Sequence, residues 1–226
     1  MIELKKLSMN YTLDAAKVEV LREIDLTIED GESIAVVGPS GSGKTTLLLL
    51  LAGLERPGSG EVRIDGIDLD ALSADDLADL RRDRVGIIFQ SFHLVPSLTA
   101  LGNVALPLEI AGRADARERA RDMLQQVGLL QRQTHYPSQM SGGEQQRVAI
   151  SRALVHSPTL LLADEPTGNL DKHTGEKVGD TLFKLHAQVG STLIMATHDE
   201  RMARRCSRLL HLDEGQLLEK QADAIF

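Results

Sequence analysis

The segment Gly38-Pro39-Ser40-Gly41-Ser42-Gly43-Lys44-Thr45 has residue types, in an order, that can hold a triphosphate. Its glycines let the backbone curl until successive N–H groups point inward at phosphate oxygens. A helix pattern follows, and its N-terminus offers the positive end of the dipole to the same anion. Lys44 adds a full charge for the β and γ phosphates, and the Thr45 hydroxyl can ligate Mg2+. The apolar run Ser33–Val37 precedes the loop, so GxxxxGK[ST] stands in the strand–loop–helix context that its chemistry requires. A Gly/Ser-rich loop without a ligand is the alternative. Lys-Thr at the required spacing, with both flanks in agreement, argues against it. The motif establishes binding of a nucleoside triphosphate and does not choose ATP over GTP.

A second group is acidic. Leu160-Leu161-Leu162-Ala163-Asp164-Glu165 reads as an apolar strand ending in two carboxylates. Ligands of open α/β sheets bind at the carboxyl ends of strands. Asp164 can hold Mg2+ directly or through water. Glu165, on the other face by strand alternation, can orient or deprotonate the water that attacks a γ-phosphate. Two solvated acids at a strand end are the plain alternative, which the phosphate loop in the same chain weakens. A third group, Ser141-Gly142-Gly143-Glu144-Gln145, opens a helical run and has capping-box spacing. It can be only a cap. An ordinary cap gains little from two glycines, each costing about 1 kcal/mol in a helical turn. Bare N–H groups at a dipole's positive end would make an anion receptor.

These groups need elements to position them. Ser33–Val37, Val85–Phe89, Thr159–Ala163 and Thr192–Ala196 are apolar nearly throughout, as strands covered on both faces are. Helical patterns run over Thr45–Ala52, Asp115–Val127 and Gly175–Val189, stopped by Gly53, Gly128 and Gly190. The alternation argues for α/β. Residues of about 1–35 and 58–70 carry short strand-like pieces and turn signals such as Asp30-Gly31 and Asp65-Gly66, and read as an antiparallel flank. Residues of about 91–157 read as a helical insertion. The 226 residues are 42% apolar and 26% charged, enough for a core. With 33 acidic against 25 basic side chains the net charge is −8, which opposes nucleic-acid binding. The single cysteine, Cys206, forms no internal disulfide and fits a reduced compartment. The longest apolar stretch, Leu47–Ala52, is far short of the ~20 residues that span a bilayer. A soluble cytosolic chain is expected, with another polypeptide supplying any spanning part.

The sequence resembles the ATP-binding-cassette ATPases over essentially all of its length. The resemblance rests on the loop Gly38–Thr45, Phe89-Gln90, Ser141–Gln145, Asp164-Glu165, Asn169-Leu170-Asp171 and Thr197-His198-Asp199, in that order. It implies an α/β P-loop NTPase of ABC type over residues 1–226: a mainly parallel core sheet flanked by helices, an antiparallel β-subdomain and an inserted α-helical subdomain. It implies two copies paired head to tail around two ATP molecules, with Ser141, Gly142, Gly143 and Gln145 of one copy serving the nucleotide of the other. Gln90 would contact Mg2+ or the attacking water, His198 would hold the γ-phosphate, and Asp171 would lie at the dimer contact. Gly38 to Thr46, with Pro39, Ser40, Gly41 and Ser42, would bind ATP. Tyr11 matches the aromatic residue that stacks on adenine, which favours ATP over GTP. The Gly-Asn-Leu-Asp segment departs from the commoner Ser-Ala-Leu-Asp.

A finer likeness lies in Ser91–Pro96, Asn103–Pro107 and Ala163–Asp171, which are similar to the bacterial branch of lipoprotein-releasing, macrolide-exporter and cell-division ATPases. That branch implies an ATP-hydrolysing subunit at the cytoplasmic face of the inner membrane, driving an integral membrane permease for export or mechanotransmission. A switch gating a non-transport envelope or cell-division complex through a permease is the alternative. No nucleic-acid partner is expected.

Overall fold

Strands covered on both faces need apolar side chains at consecutive positions. The computed structural model, which describes residues 1–13 and 16–220, shows such strands at all four apolar runs. Along the chain the elements are β1 (Ile2–Leu13), β2 (Ala16–Ile28), β3 (Ser33–Val37), α1 (Lys44–Leu51), β4 (Ser59–Ile64), β5 (Ile67–Asp68), α2 (Ala74–Arg84), β6 (Val85–Ile88), α3 (Ala100–Ile110), α4 (Ala116–Gln126), α5 (Gly142–Leu154), β7 (Leu160–Asp164), α6 (Lys172–Val189), β8 (Thr192–Ala196), α7 (Glu200–Ala203), β9 (Arg208–Asp213) and β10 (Gln216–Glu219). Among these no helix is long and apolar enough to cross a membrane. Among the described residues two compact bodies form, one from residues 1–81 with 192–220, the other from residues 82–191.

In the first body β1 pairs antiparallel with β2 and β4, and β5 closes an edge, in the order β2-β1-β4-β5. Leu4 and Leu7 are both buried, although a spacing of three would place them on opposite faces of a regular strand. A register shift between them, with Lys6 at φ 47°, restores Leu7 to the core. The partner strand does the same between Leu21 and Ile24, with Glu23 at φ 42°. The second sheet of this body runs β10-β9-β3-β8, with β3 parallel to both β8 and β9. Ile34 to Val37 and all of β8 are buried, so their apolar composition reflects cover on both faces. Helix α1 buries Leu47, Leu48, Leu50 and Leu51. Helix α2 was not legible as an apolar stripe, since it buries only Leu77 and Leu80. Its start is set instead by reciprocal bonds between Ser73 and Asp76.

The second body holds β6 and β7 in parallel, with α5 against β6 and against α3, α4 and α6. Along the helical pattern 115–127, Ala116, Ala120, Leu124 and Val127 are buried on one face and Met123 is half-buried. Helix α6 begins three residues before the expected Gly175, because Asp171 caps it by accepting a bond from the Thr174 N–H at 3.1 Å. Asn103, wholly buried on α3, accepts from the Val95 N–H and donates to the carbonyls of Val95, Leu98 and Thr99, which fixes the loop before the helix. Where β6 meets α5 there is no room for a side chain: a Cβ on Gly86 would lie 2.2 Å from the Ala153 carbonyl oxygen. Gly86→Ala should therefore push the strand off the helix and cost about 1–3 kcal/mol or more in chemical denaturation, measured at equilibrium.

Candidate functional site

Strand β3 delivers the chain to Gly38, and the loop turns back into α1 through left-handed backbone at Gly41 (φ 79°) and Gly43 (φ 102°). Side chains are excluded here by space as well as by angle. A Cβ on Gly38 would lie 2.0 Å from the Leu212 carbonyl oxygen, and one on Gly43 would lie 2.8 Å from Val20 Cγ1. Gly43 caps α1 with no side-chain bond, and no acidic residue stands in the first turn. The first amides of the helix therefore keep the positive potential that an anion reads. Lys44 Nζ folds back to donate to the carbonyls of Gly38 (2.9 Å) and Pro39 (2.8 Å), which holds the ammonium over its own loop. Thr45 and Thr46 follow in the first turn of α1.

Tyr11, on β1, lies in the same body. Its hydroxyl donates to the Glu55 carboxylate, and burial together with that carboxylate pushes the phenol pKa up. The ring is thus tethered at its oxygen. His198 follows the carboxyl end of β8 and is exposed. The adjoining residues are ordered by Thr197, whose hydroxyl accepts from the Asp199 N–H at 3.0 Å, and by Asp199, which caps α7.

In the second body β7 ends at Asp164, and Glu165 stands beyond it in left-handed backbone at φ 46°. The expectation from strand alternation is corrected here: the pleat stops at Asp164, and the direction of Glu165 is set by a turn. That turn is held by the Gly168 N–H donating to the Glu165 carbonyl at 3.0 Å and by the buried Gln146, whose Nε2 donates to the Pro166 carbonyl at 2.6 Å. A non-glycine residue in this conformation costs about 1–3 kcal/mol and persists only where its surroundings impose it. Gln90 lies just past β6 and meets the same turn through Asn169. The chain then passes through two consecutive left-handed residues, Phe92 (φ 62°) and His93 (φ 46°), with the His93 ring stacked on Phe89. Arg152 of α5 donates to both carbonyls, at 3.0 Å to Phe92 and 2.7 Å to His93. Burial lowers the pKa of this guanidinium. The half-buried charge lies among backbone carbonyls, and those bonds offset its partial loss of water.

Ser141 caps α5 as its spacing predicts. Its hydroxyl accepts from the Glu144 N–H (3.3 Å) and donates to the Glu144 carboxylate (3.0 Å), which also accepts the Ser141 N–H (2.9 Å). The two glycines have unlike reasons. A Cβ on Gly143 would lie 2.4 Å from Thr174 Cγ2, so this glycine lets α5 and α6 approach. A Cβ on Gly142 would meet Leu170 at 3.3 Å, so that position is tight rather than closed. Packing alone thus demands the second glycine, a reason that the sequence pattern did not reveal. Gln145 Nε2 donates to the Met140 carbonyl at 3.0 Å, closing the entry to the helix. Asp171 caps α6. Two further residues that order the site, Arg152 and Thr174, carry no sequence signal as single residues, while Asn169 stood out only as a departure in its motif.

The cap has a pH signature. Hydrogen bonds from Ser141 hold the Glu144 carboxyl below the ordinary glutamate value of 4.5, against the opposing effect of burial. Its contribution is present above 4.5 and lost as pH falls through the folded value. Glu144→Gln, which keeps the capping geometry, should flatten the fall of the denaturation midpoint on acidification.

Comparison with known proteins agrees with this geometry. The family model described as "ABC transporter" matches residues 21–168. The lipoprotein-releasing system ATP-binding protein of Legionella pneumophila (strain Paris) is 48% identical over 219 residues, 96% of each chain. An uncharacterized ABC transporter ATP-binding protein of Escherichia coli (strain K12), YbbA, is 48% identical over 221 residues, 97% of each chain. A solved dimeric ATP-binding cassette in a post-hydrolysis state, bound to ADP and Pi, superposes with a TM-score of 0.90 at 41% identity, covering 98% of this chain and 99% of that one. The phosphate loop, the acidic strand end and the capped Ser-Gly-Gly helix thus occur together in a chain that belongs to the ABC transporter family, as an ATP-binding and ATP-hydrolysing component.

Proposed function

We propose that this ATPase drives a separate membrane-spanning permease of the bacterial cell envelope, in an export or force-transmitting system. The observation that carries the reading is the loop 38–45, with glycines where no Cβ fits, a helix start free of acids, and Lys44 drawn over the curl. The likeness to a lipoprotein-releasing system ATP-binding protein, over nearly the whole of both chains, supports the envelope assignment. Tyr11 stacks on adenine, residues 38–46 take the phosphates, and His198 holds the γ-phosphate. Glu165 orients or deprotonates the attacking water, with Gln90 beside it. Thr45, Asp164 and Gln90 offer hydroxyl, carboxylate and amide oxygens, the hard donors that fit Mg2+ alongside water and phosphate oxygens. When bound, that ion neutralises charge on the phosphates. Ser141, Gly142, Gly143 and Gln145 serve the nucleotide of a second copy, and Asp171 lies at that contact. ATP favours the closed pair because it binds that state better, and hydrolysis reopens it. The chain works at the cytoplasmic face of the membrane.

Three outcomes test this. Glu165→Gln should lower kcat at least about a hundredfold while ATP stays bound and the protein elutes as a dimer. Normal turnover in that variant would overturn the role given to Glu165. Lys44→Ala should abolish nucleotide binding, measured by equilibrium titration with labelled ATP. Purification from detergent-extracted membranes should bring down an integral membrane protein, and recovery of nucleic acid or only soluble partners in its place would sink the permease reading.

A further inference from the structure

The departure Gly168-Asn169, where Ser-Ala is commoner, has a structural counterpart. Asn169 Nδ2 donates to the Gln90 carbonyl at 3.0 Å, and Asn169 Oδ1 accepts from Gln90 Nε2 at 3.2 Å. The two residues lie 79 positions apart in sequence. The logic of donors fixes both amides. A backbone carbonyl can only accept, so the Asn169 atom facing it is the NH2 group. The other end of that side chain is then an acceptor, and the Gln90 atom facing it must be a donor. Gln90 Oε1 is therefore the amide atom turned away from Asn169. Gly168 leaves room for the pairing, since a Cβ there would lie 3.0 Å from Gln90 Nε2 and 3.4 Å from its Cδ and would crowd the amide. The same turn carries Glu165, whose carbonyl accepts from the Gly168 N–H at 3.0 Å.

We infer that Asn169 is a positioning residue that selects which atom of the Gln90 amide is presented for reaction. A metal ion or an attacking water needs the oxygen: Mg2+ takes only oxygen here, and a water O–H donates to it. The reverse rotamer would offer NH2, which repels a cation and cannot accept. Asn169 holds the oxygen-forward state through a backbone carbonyl that cannot itself flip. Because its bonds connect to the segment that carries Glu165, Gln90 and Glu165 are set by one hydrogen-bonded turn. Both side chains are exposed, so the effect lies in orientation rather than in stability. The inference rests on the reading of Gln90 given above.

The test is a set of variants of the full chain with three readouts. In nucleotide-free protein labelled at glutamine side chains, the Gln90 Nε2 protons should show slowed solvent exchange in NMR, and Asn169→Ala should abolish that protection. The thermal midpoint of Asn169→Ala should match that of the parent. Its kcat for ATP should fall roughly tenfold with KM nearly unchanged, the scale seen when a residue that orients a ligand is removed. Asn169→Asp, which can accept but not donate, should not restore it. In a double-mutant cycle Asn169→Ala should add nothing to Gln90→Ala. If Gln90→Ala slows turnover while Asn169→Ala does not, or if the two losses add, the inference falls and the reading of Gln90 stands. If Gln90→Ala turns over normally, both fall together.

Discussion

A triphosphate is held by backbone amides only where nothing occupies the space that those amides face. That constraint governs the first body. At Gly38 and Gly43 the neighbouring strands approach so closely that even a methyl group would collide with Leu212 or Val20. The sheets do more than support the loop from behind, because they also dictate its composition. The lysine completes the arrangement by returning to the loop's own carbonyls. A charge that would otherwise wander on four methylenes is thereby confined to the loop itself.

The second body applies the same economy to a helix start. Ser141 and Glu144 satisfy each other, Gln145 closes onto Met140, and Gly143 admits Thr174. The beginning of α5 is thus tied to the beginning of α6, and through Gln146 and Pro166 to the turn that carries Glu165. Residues far apart in sequence are brought into a short chain of bonds, most of them to backbone atoms. Backbone partners matter because a carbonyl or amide cannot rotate away as a side chain can.

Much of the molecule was legible in the sequence for a physical reason: strands covered on both faces must be apolar at every position, and phosphate chemistry needs glycine and lysine at fixed spacing. The limits of β3, β8 and α1 followed closely, as did the cap at Ser141. What stayed hidden was whatever depends on partners distant in sequence. Helix α2 lacks an apolar stripe because few of its side chains meet a core. The left-handed Lys6 and Glu23 are invisible because their conformation answers a register shift between two strands. Glu165 was recognised as an acid, yet its direction depends on a turn that alternation does not describe. Asn169 was noticed as an oddity of composition, and only its contacts with Gln90 give it a meaning.

The arginine at 152 shows how sequence choices at distant positions become interdependent. Phe92 and His93 adopt a conformation that glycine would accept without penalty, and their carbonyls bind a guanidinium that burial would otherwise disfavour. Each oddity excuses the other. Glycine at either turn position would adopt the same backbone at little cost, and the bonds from Arg152 would then matter less there. With both bulky residues kept, removing the guanidinium would leave two strained residues without their shared donor. The conformation of a loop is thus coupled to the identity of one side chain on a helix about sixty residues away.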